Sequence, residues 1–203
     1  MERNRRKEVG KYCSVYVVSS GCGAVVAGDV GLIEVFLPVP QVGEEMTSRI
    51  ARLYPLASTE NEATRKAADL LEKYFSGEQV RLDVTLDLGG CTEFQRSVYG
   101  AVRKIPYGVV KTYAEIAAQI NRPKASRGIG SAMARNPLPI VIPCHRVIGS
   151  DGRLTGYSGP GGVGMKNDLL RKEGVQFDER DGKVRRETKG DHELFACVHR
   201  NSC

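Results

Sequence analysis

Asn136-Pro137-Leu138-Pro139-Ile140-Val141-Ile142-Pro143-Cys144-His145-Arg146-Val147 is an apolar run held between prolines that empties onto a cysteine, a histidine and an arginine. Proline fixes its own φ and pushes the residue before it out of the helical region, so three prolines in seven positions set a stiff path. The thiol of Cys144 is delivered by this largely apolar segment. Free cysteine titrates about 1.5 units above neutrality, so it becomes a strong nucleophile only beside a base, a positive charge or a helix N-terminus. His145 and Arg146 are the candidates for that environment. The plainer reading is a small buried hydrophobe at the end of a strand.

Upstream, the texture is that of short capped helices. Thr92 with Gln95 caps a helix whose Phe94, Val98, Ala101, Val102 and Ile105 face a core, and Pro106 stops it. Thr112 with Glu115 caps a second helix ending near Ile120, and Asn121-Arg122-Pro123 turns into a third, Lys124 to Arg135. Two short helices joined by a tight turn make a helix-turn-helix candidate. On the third helix Ala125, Ile129, Ala132 and Met133 share the core side, while Lys124, Arg127, Gly128, Ser131 and Arg135 share the other. Glycine costs a helix about 1 kcal/mol relative to alanine, so Gly128 and Gly130 call for a reason such as close approach to another surface. A loosely packed surface helix is the bland alternative. Residues 101–155 carry nine basic and two acidic side chains, a local +7 in a chain whose net charge is +6. That concentration is the footprint expected for a phosphate backbone, although most charge runs are solvated faces.

Downstream, Gly149-Ser150-Asp151-Gly152 reads as a turn, and Thr155 to Gly164 as a glycine-rich pocket wall containing Tyr157 and Ser158. No Gly-Lys-Ser/Thr follows, which excludes a Walker-type phosphate loop. A last core helix is expected from about Val163 through Leu169 and Leu170 to Glu173, with Gly174 as its stop. Residues 175–203 read as a polar extension, in which Cys197, His199 and Cys203 are too irregularly spaced to argue for a metal.

At the N-terminal end, Tyr12–Val18, Cys22–Ala27 and Leu32–Leu37 alternate as strands of an antiparallel meander ended by Pro38 and Pro40. A helix from Glu44 to Leu53 follows, then one capped by Thr59 with Glu62 and stopped at Gly77, then a strand over Leu82–Leu86. No polar cluster suggests chemistry there, so this half reads as a structural partner. The expected fold is an α/β N-terminal domain over 1–88, a short antiparallel sheet plus helices, followed by a mostly helical, winged helix-turn-helix-like C-terminal domain over 89–174. No window approaches the roughly 18 apolar residues of a membrane span, and no apolar leader follows the basic start. Six cysteines without a CxxC suit a reducing compartment, although Cys13 and Cys22 could meet across a hairpin. A soluble, intracellular protein is expected.

The run Pro143-Cys144-His145-Arg146-Val147 preceded by Asn136-Pro137, followed by Tyr157-Ser158-Gly159 and by a lysine and a glutamate, resembles the signature of the 6-O-alkylguanine-DNA alkyltransferases. The resemblance covers roughly residues 92–174. It implies stoichiometric transfer of the alkyl group from 6-O-alkylguanine in DNA to Cys144, with 4-O-alkylthymine a candidate second substrate, and one lesion repaired per protein molecule. His145, through a water and held by Glu173, would activate the thiol. Asn136 matches the hinge asparagine, and Tyr113 the tyrosine that helps rotate the nucleotide and gives a proton to the leaving base. Arg127 matches the arginine that takes the place of the extruded base, with Lys124, Ser131, Arg135 and Ser150 as further DNA contacts. Met133, Val147, Tyr157, Ser158 and Lys166 match the guanine pocket. The resemblance also implies a monomer that binds double-stranded DNA through the minor groove, no cofactor, and a cytoplasmic or nuclear location according to the kind of cell. The loop Gly159–Lys166 is longer than the family's usual spacing. Some members hold a structural zinc in the N-terminal domain, but every histidine here lies at 145 or later, so none is expected. A non-catalytic lesion-binding relative, a winged-helix regulator with a structural thiol, and a hydrolase using Cys144 and His145 are the competing classes.

Overall fold

Ser19 and Ser20 close β1 (Lys11–Val18) and β2 (Gly21–Ala27) into an antiparallel hairpin that pairs Val18 with Gly21 and Tyr12 with Ala27. Gly21 has φ 128°, and a Cβ there would fall 1.9 Å from the Val39 carbonyl oxygen, so no other residue fits the turn. β3 (Leu32–Val39) completes the meander and continues through Pro38, where the sequence reading stopped it. The strand order is β3-β2-β1-β4, so β3 is an edge, where a proline's missing N–H costs no ladder bond. The computed structural model describes residues 10–40, 43–55, 57–58 and 60–185.

Helix α1 (Gly43–Leu53) leads to β4 (Ala57–Ser58), which pairs parallel with β1. Helix α2 (Glu62–Ser76) begins at Asn61: its Oδ1 accepts from the Thr64 N–H at 2.9 Å, and Thr64 Oγ1 accepts from the Asn61 N–H at 3.0 Å. This reciprocal cap replaces the expected pairing of Thr59, which lies outside the described residues, with Glu62. Gly77 ends the helix at φ 101° as read. Leu82–Leu86 alternates like a strand yet joins no ladder. Its one bridge is Leu86 with Leu32, and the carbonyls of Leu82 and Val84 instead accept from Arg103 at 3.4 and 2.6 Å. Cys13 lies opposite Val26 and Cys22 opposite Val17, and no disulfide joins them, which removes the expected hairpin bridge.

The second half begins with α3 (Glu93–Arg103), then β5 (Lys111–Thr112), α4 (Tyr113–Gln119) and α5 (Ser126–Ala134), followed by β6 (Val147–Ile148) and α6 (Gly162–Lys172). The capping boxes of Thr92 with Gln95 and Thr112 with Glu115 both form. Helix α5 is shorter than the reading: Ala125 at its N-cap has no side-chain acceptor, Lys124 sits in the preceding turn and Arg135 is the C-cap. β5 and β6 pair parallel, which carries the cysteine segment back beside the start of α4.

One core joins both halves. Tyr16, Leu71 and Tyr74 from the first share it with Val98, Ile129, Ile140, Cys144 and Leu169 from the second. Leu71, Ile116, Ile129 and Leu138 are wholly buried, each stabilising the fold by roughly 1.5–3 kcal/mol. The Val35 N–H also donates to the Pro137 carbonyl at 2.8 Å, so the edge of the sheet grips the loop that carries the cysteine. Residues 175–185 depart from a polar extension. Val175, Phe177 and Val184 bury against Ile148 and Leu170, and the Val184 N–H donates to Gly152 at 3.0 Å. Alternate apolar positions give this short hairpin a buried face. Cys197, His199 and Cys203 lie outside the described residues. Among the described residues no helix is long and apolar enough to cross a membrane.

Candidate active site

Asn136 closes the cysteine loop with one side chain. Its Oδ1 accepts from the Leu138 N–H at 3.0 Å, and its Nδ2 donates to the Ile142 carbonyl at 2.8 Å and to Cys144 Sγ at 3.3 Å. Between these anchors the apolar run is no strand: the Ile142 N–H turns back onto Leu138 at 2.8 Å, and Ile140 takes φ 71°. A β-branched residue in the left-handed region costs on the order of 1–3 kcal/mol. Complete packing of Leu138, Ile140 and Ile142 offsets it. Cys144 then opens a single turn of 3-10 helix, Cys144–Arg146.

Behind the thiol lies a dry ionic cluster. Glu173, the C-cap of α6, holds His145 Nε2 at 2.8 Å from Oε1 and Arg146 in a fork, Nε to Oε2 and Nη2 to Oε1, both at 2.8 Å. Arg146 Nη1 donates to the Ile105 carbonyl at 2.7 Å, and the Gly108 N–H donates to Glu173 Oε2 at 3.2 Å. Gly108 has φ 73°, and a Cβ there would lie 2.8 Å from the Glu173 carbonyl oxygen, so glycine is required for this approach. Burial raises the Glu173 carboxyl, but the hydrogen bonds from His145 and Arg146 outweigh it and bring it down to about 2. The carboxylate is therefore charged and fully occupied.

The remaining member of the cluster comes from the other half. Tyr74 on α2 donates to Glu173 Oε1 at 2.7 Å, and its hydroxyl oxygen lies 3.3 Å from His145 Nε2. In the sequence Tyr74 belongs to the apolar face of α2, and no local signal marks it; contacts across 71 and 99 residues of chain are visible only after folding. With Nε2–H donating to the carboxylate, Nδ1 is left as the acceptor, and it has no protein hydrogen-bond partner. Burial pushes the imidazole below its usual value although Glu173 pulls it up, which makes His145 a neutral base. Burial likewise raises the Cys144 thiol, against the opposing pull of Asn136 and Lys166. The resting group is a thiol whose proton needs an acceptor. Arg146, a candidate for activating the sulfur, is committed to Glu173 and Ile105 instead.

In front of the thiol a cavity of ≈ 740 Å³ opens, lined by Tyr113, Arg127, Met133, Ser150, Tyr157 and Ser158 among others, with Cys144 on its wall. Its size falls in the range of small-molecule sites. Tyr113 accepts at its hydroxyl from Thr155 at 3.1 Å, and burial raises its pKa, so it remains a proton-bearing phenol. The buried Tyr157 hydroxyl has no protein partner. Seven of the positions named from sequence thus border one space. Lys124, Ser131 and Arg135 lie exposed along and beside α5, outside the lining. Val147 and Lys166 are not in the lining either. Lys166 is 1% exposed, and its ammonium donates to the Val147 carbonyl at 2.6 Å and the Thr155 carbonyl at 3.2 Å. Burial lowers it to about 8. It ties the pocket wall to the strand after the cysteine, a role fixed by its position on α6. Gly128 has an internal reason as well: a Cβ there would meet the Phe94 ring at 3.2 Å.

Residues 93–175 match the model of the 6-O-methylguanine DNA methyltransferase DNA-binding domain. The methylated-DNA-protein-cysteine methyltransferase of Methanosarcina acetivorans is 53% identical over 110 residues, which cover 54% of this chain and 69% of that protein. The structure of the Mycobacterium tuberculosis O6-methylguanine methyltransferase is similar with a TM-score of 0.64 at 36% identity, covering 80% of this chain and 92% of that one. A structure of the same mycobacterial protein in complex with DNA matches at 35% identity, again with a TM-score of 0.64, covering 80% of this chain and 93% of that one. The small antiparallel sheet and its packed helices give the chain the fold of these methyltransferases. The chain belongs to the methylated-DNA-protein-cysteine methyltransferase family.

Proposed function

We propose that the protein repairs DNA by moving the alkyl group from O6 of guanine onto Sγ of Cys144, once per molecule. The observation that carries this is that Cys144 lines a cavity of ≈ 740 Å³ and is followed in the same turn by a buried, neutral His145 held by Glu173 at 2.8 Å. In the reaction the thiol proton passes through a water to His145 Nδ1. The thiolate attacks the alkyl carbon in line, the carbon–O6 bond breaks as the S–C bond forms, and the departing guanine takes a proton from Tyr113. A thioether has no bond that water opens readily, so the protein is spent. No redox cofactor or methyl donor enters the balance.

Cys144 is 5% exposed, out of reach of a base still stacked in a duplex, so the lesion must rotate into the cavity. Arg127 at the cavity edge would fill the gap it leaves. Helices α4 and α5 serve as the helix-turn-helix, in a winged domain within 89–174 carried by the domain over 1–88. The outer face of α5 with Lys124, Ser131 and Arg135, and Ser150 on the facing turn, lie against the minor groove of a duplex bound by a monomer. Met133, Tyr157 and Ser158 hold the base while Val147 and Lys166 brace the wall. A 4-O-alkylthymine, smaller than the purine, fits the same space. Family membership and the likeness to a mycobacterial protein crystallised with DNA support this reading.

The test is incubation with a duplex containing 6-O-methylguanine followed by intact-protein mass measurement. One methyl per molecule, mapped to Cys144 and absent in Cys144→Ser, is expected; multiple turnovers, or an adduct that survives Cys144→Ser, overturns it.

A further inference from the structure

We infer that Tyr74, on the sheet side of the molecule, is a positioning residue for the transfer step and makes the N-terminal half part of the reaction machinery. This rests on the transferase reading above. The ring is 1% exposed and stands edge-on to Phe75 and Tyr107, with centroids 5.3 and 6.3 Å away, so it has no other place to go. Its hydroxyl closes a triangle: it donates to Glu173 Oε1 at 2.7 Å, the same oxygen accepts from His145 Nε2 at 2.8 Å, and the phenol oxygen lies 3.3 Å from that nitrogen. A phenol that only filled space would not need its oxygen at the one carboxylate atom that orients the base.

Two consequences follow from the triangle. The phenol takes up part of the carboxylate's charge at Oε1, so Glu173 draws less strongly on the imidazole proton and His145 remains uncharged and ready to accept. It also stands 3.3 Å from Nε2 and 2.7 Å from the oxygen that Nε2 meets, so it restrains the imidazole at that edge and leaves Nδ1 as the open nitrogen. The charged and titratable groups acting on the His145 ring are Glu173 and Lys166 from the α6 segment, Arg146 from its own turn, and the hydroxyl of Tyr74 from α2 at 3.3 Å. Among the described residues, the phenol of Tyr74 is the one member of this set from the first half of the chain.

Tyr74→Phe in the full-length protein keeps the ring and removes the oxygen. The expected result is a single-turnover transfer rate at saturating DNA reduced about tenfold, the scale of a lost hydrogen bond to a charged group, with the DNA dissociation constant unchanged within about twofold. Without the phenol's share of the carboxylate, His145 becomes more basic, so the acid limb of the rate profile moves to higher pH. The nitrogen NMR titration of His145, which needs no activity, shifts in the same direction. Tyr54→Phe removes a hydroxyl that donates to Glu34 rather than to Glu173, and leaves both profiles in place. A Tyr74→Phe protein that reacts at the parent rate with an unmoved His145 titration overturns the inference. If the parent protein itself takes up no alkyl group, the transferase reading fails, and the NMR arm still decides whether Tyr74 sets the state of His145.

Discussion

The two sides of Cys144 are built on opposite rules. Behind it, every oxygen of Glu173 is taken, His145 is wholly buried and Arg146 spends its guanidinium on fixed acceptors. In front, a cavity of ≈ 740 Å³ opens beside Cys144, and Arg127 on its lining stands exposed. A side chain that keeps one tautomer needs fixed partners in a low-dielectric setting, whereas a pocket that admits a ligand needs room. On the proposed function, the difference separates groups that set the chemistry from groups that set the fit. The same division explains why Lys166, one sequence candidate for the pocket, stands behind the wall as a brace.

The sharpest way to break this comparison is Glu173→Gln. It removes the charge that the fork of Arg146 requires, and losing one partner of a buried pair destabilises by about 3–5 kcal/mol. Urea unfolding should show that loss, and single-turnover kinetics a fall of about 10²-fold or more as His145 loses its anchor. Wild-type stability with slowed chemistry would mean that the rear cluster is less dry than its geometry.

Asn136→Ala comes next. It loses two neutral hydrogen bonds in the cysteine loop and one to the sulfur, each worth about 1 kcal/mol, in a segment that already holds Ile140 at positive φ. A stability loss of about 3 kcal/mol with a transfer rate lowered about tenfold is expected. Urea midpoints and adduct kinetics read the two effects separately.

On the open side, Arg127→Ala should leave unfolding within about 0.5 kcal/mol of the parent, since the side chain is exposed. Transfer from duplex DNA should drop about tenfold while transfer from the free 6-O-methylguanine base is unchanged. An equal loss on both substrates would move Arg127 from fit to chemistry.

Acid provides a gentler probe of the rear cluster. The folded Glu173 carboxyl is depressed to about 2, below the unfolded value of about 4.3, so its stabilising contribution is complete above the unfolded value and is lost as pH falls toward 2. Thermal midpoints of the parent should therefore decline more steeply through that window than those of Glu173→Gln. The smallest effect is expected of Gly128→Ala: the new methyl meets the Phe94 ring, and gained helix propensity offsets the tight contact to within about 1 kcal/mol. DNA affinity should hold within about twofold. A large loss would restore close approach to DNA as the reason for that glycine.

The helices of the second half were legible because their signals are local: Thr92 and Thr112 each carry their capping partner three residues on, and both caps form. The start of α5 was not, since Ala125 carries no cap and the helix begins where packing of Ile129 and Met133 permits. Leu82–Leu86 failed as a strand for a different reason. Alternation records which side chains are buried, but ladder membership depends on a neighbouring strand, and here Arg103 takes the carbonyls.

By itself the sequence determined the stiff loop, the order Cys144-His145-Arg146, the basic quarter of the chain and the family signature, because each is set by adjacent residues. Tertiary structure alone decided that Arg146 serves Glu173 rather than the sulfur, that the thiol is raised rather than lowered, and that Tyr74 reaches the same carboxylate from the other half. These are outcomes of burial and of contacts across up to 99 residues of chain, and neither has a local trace.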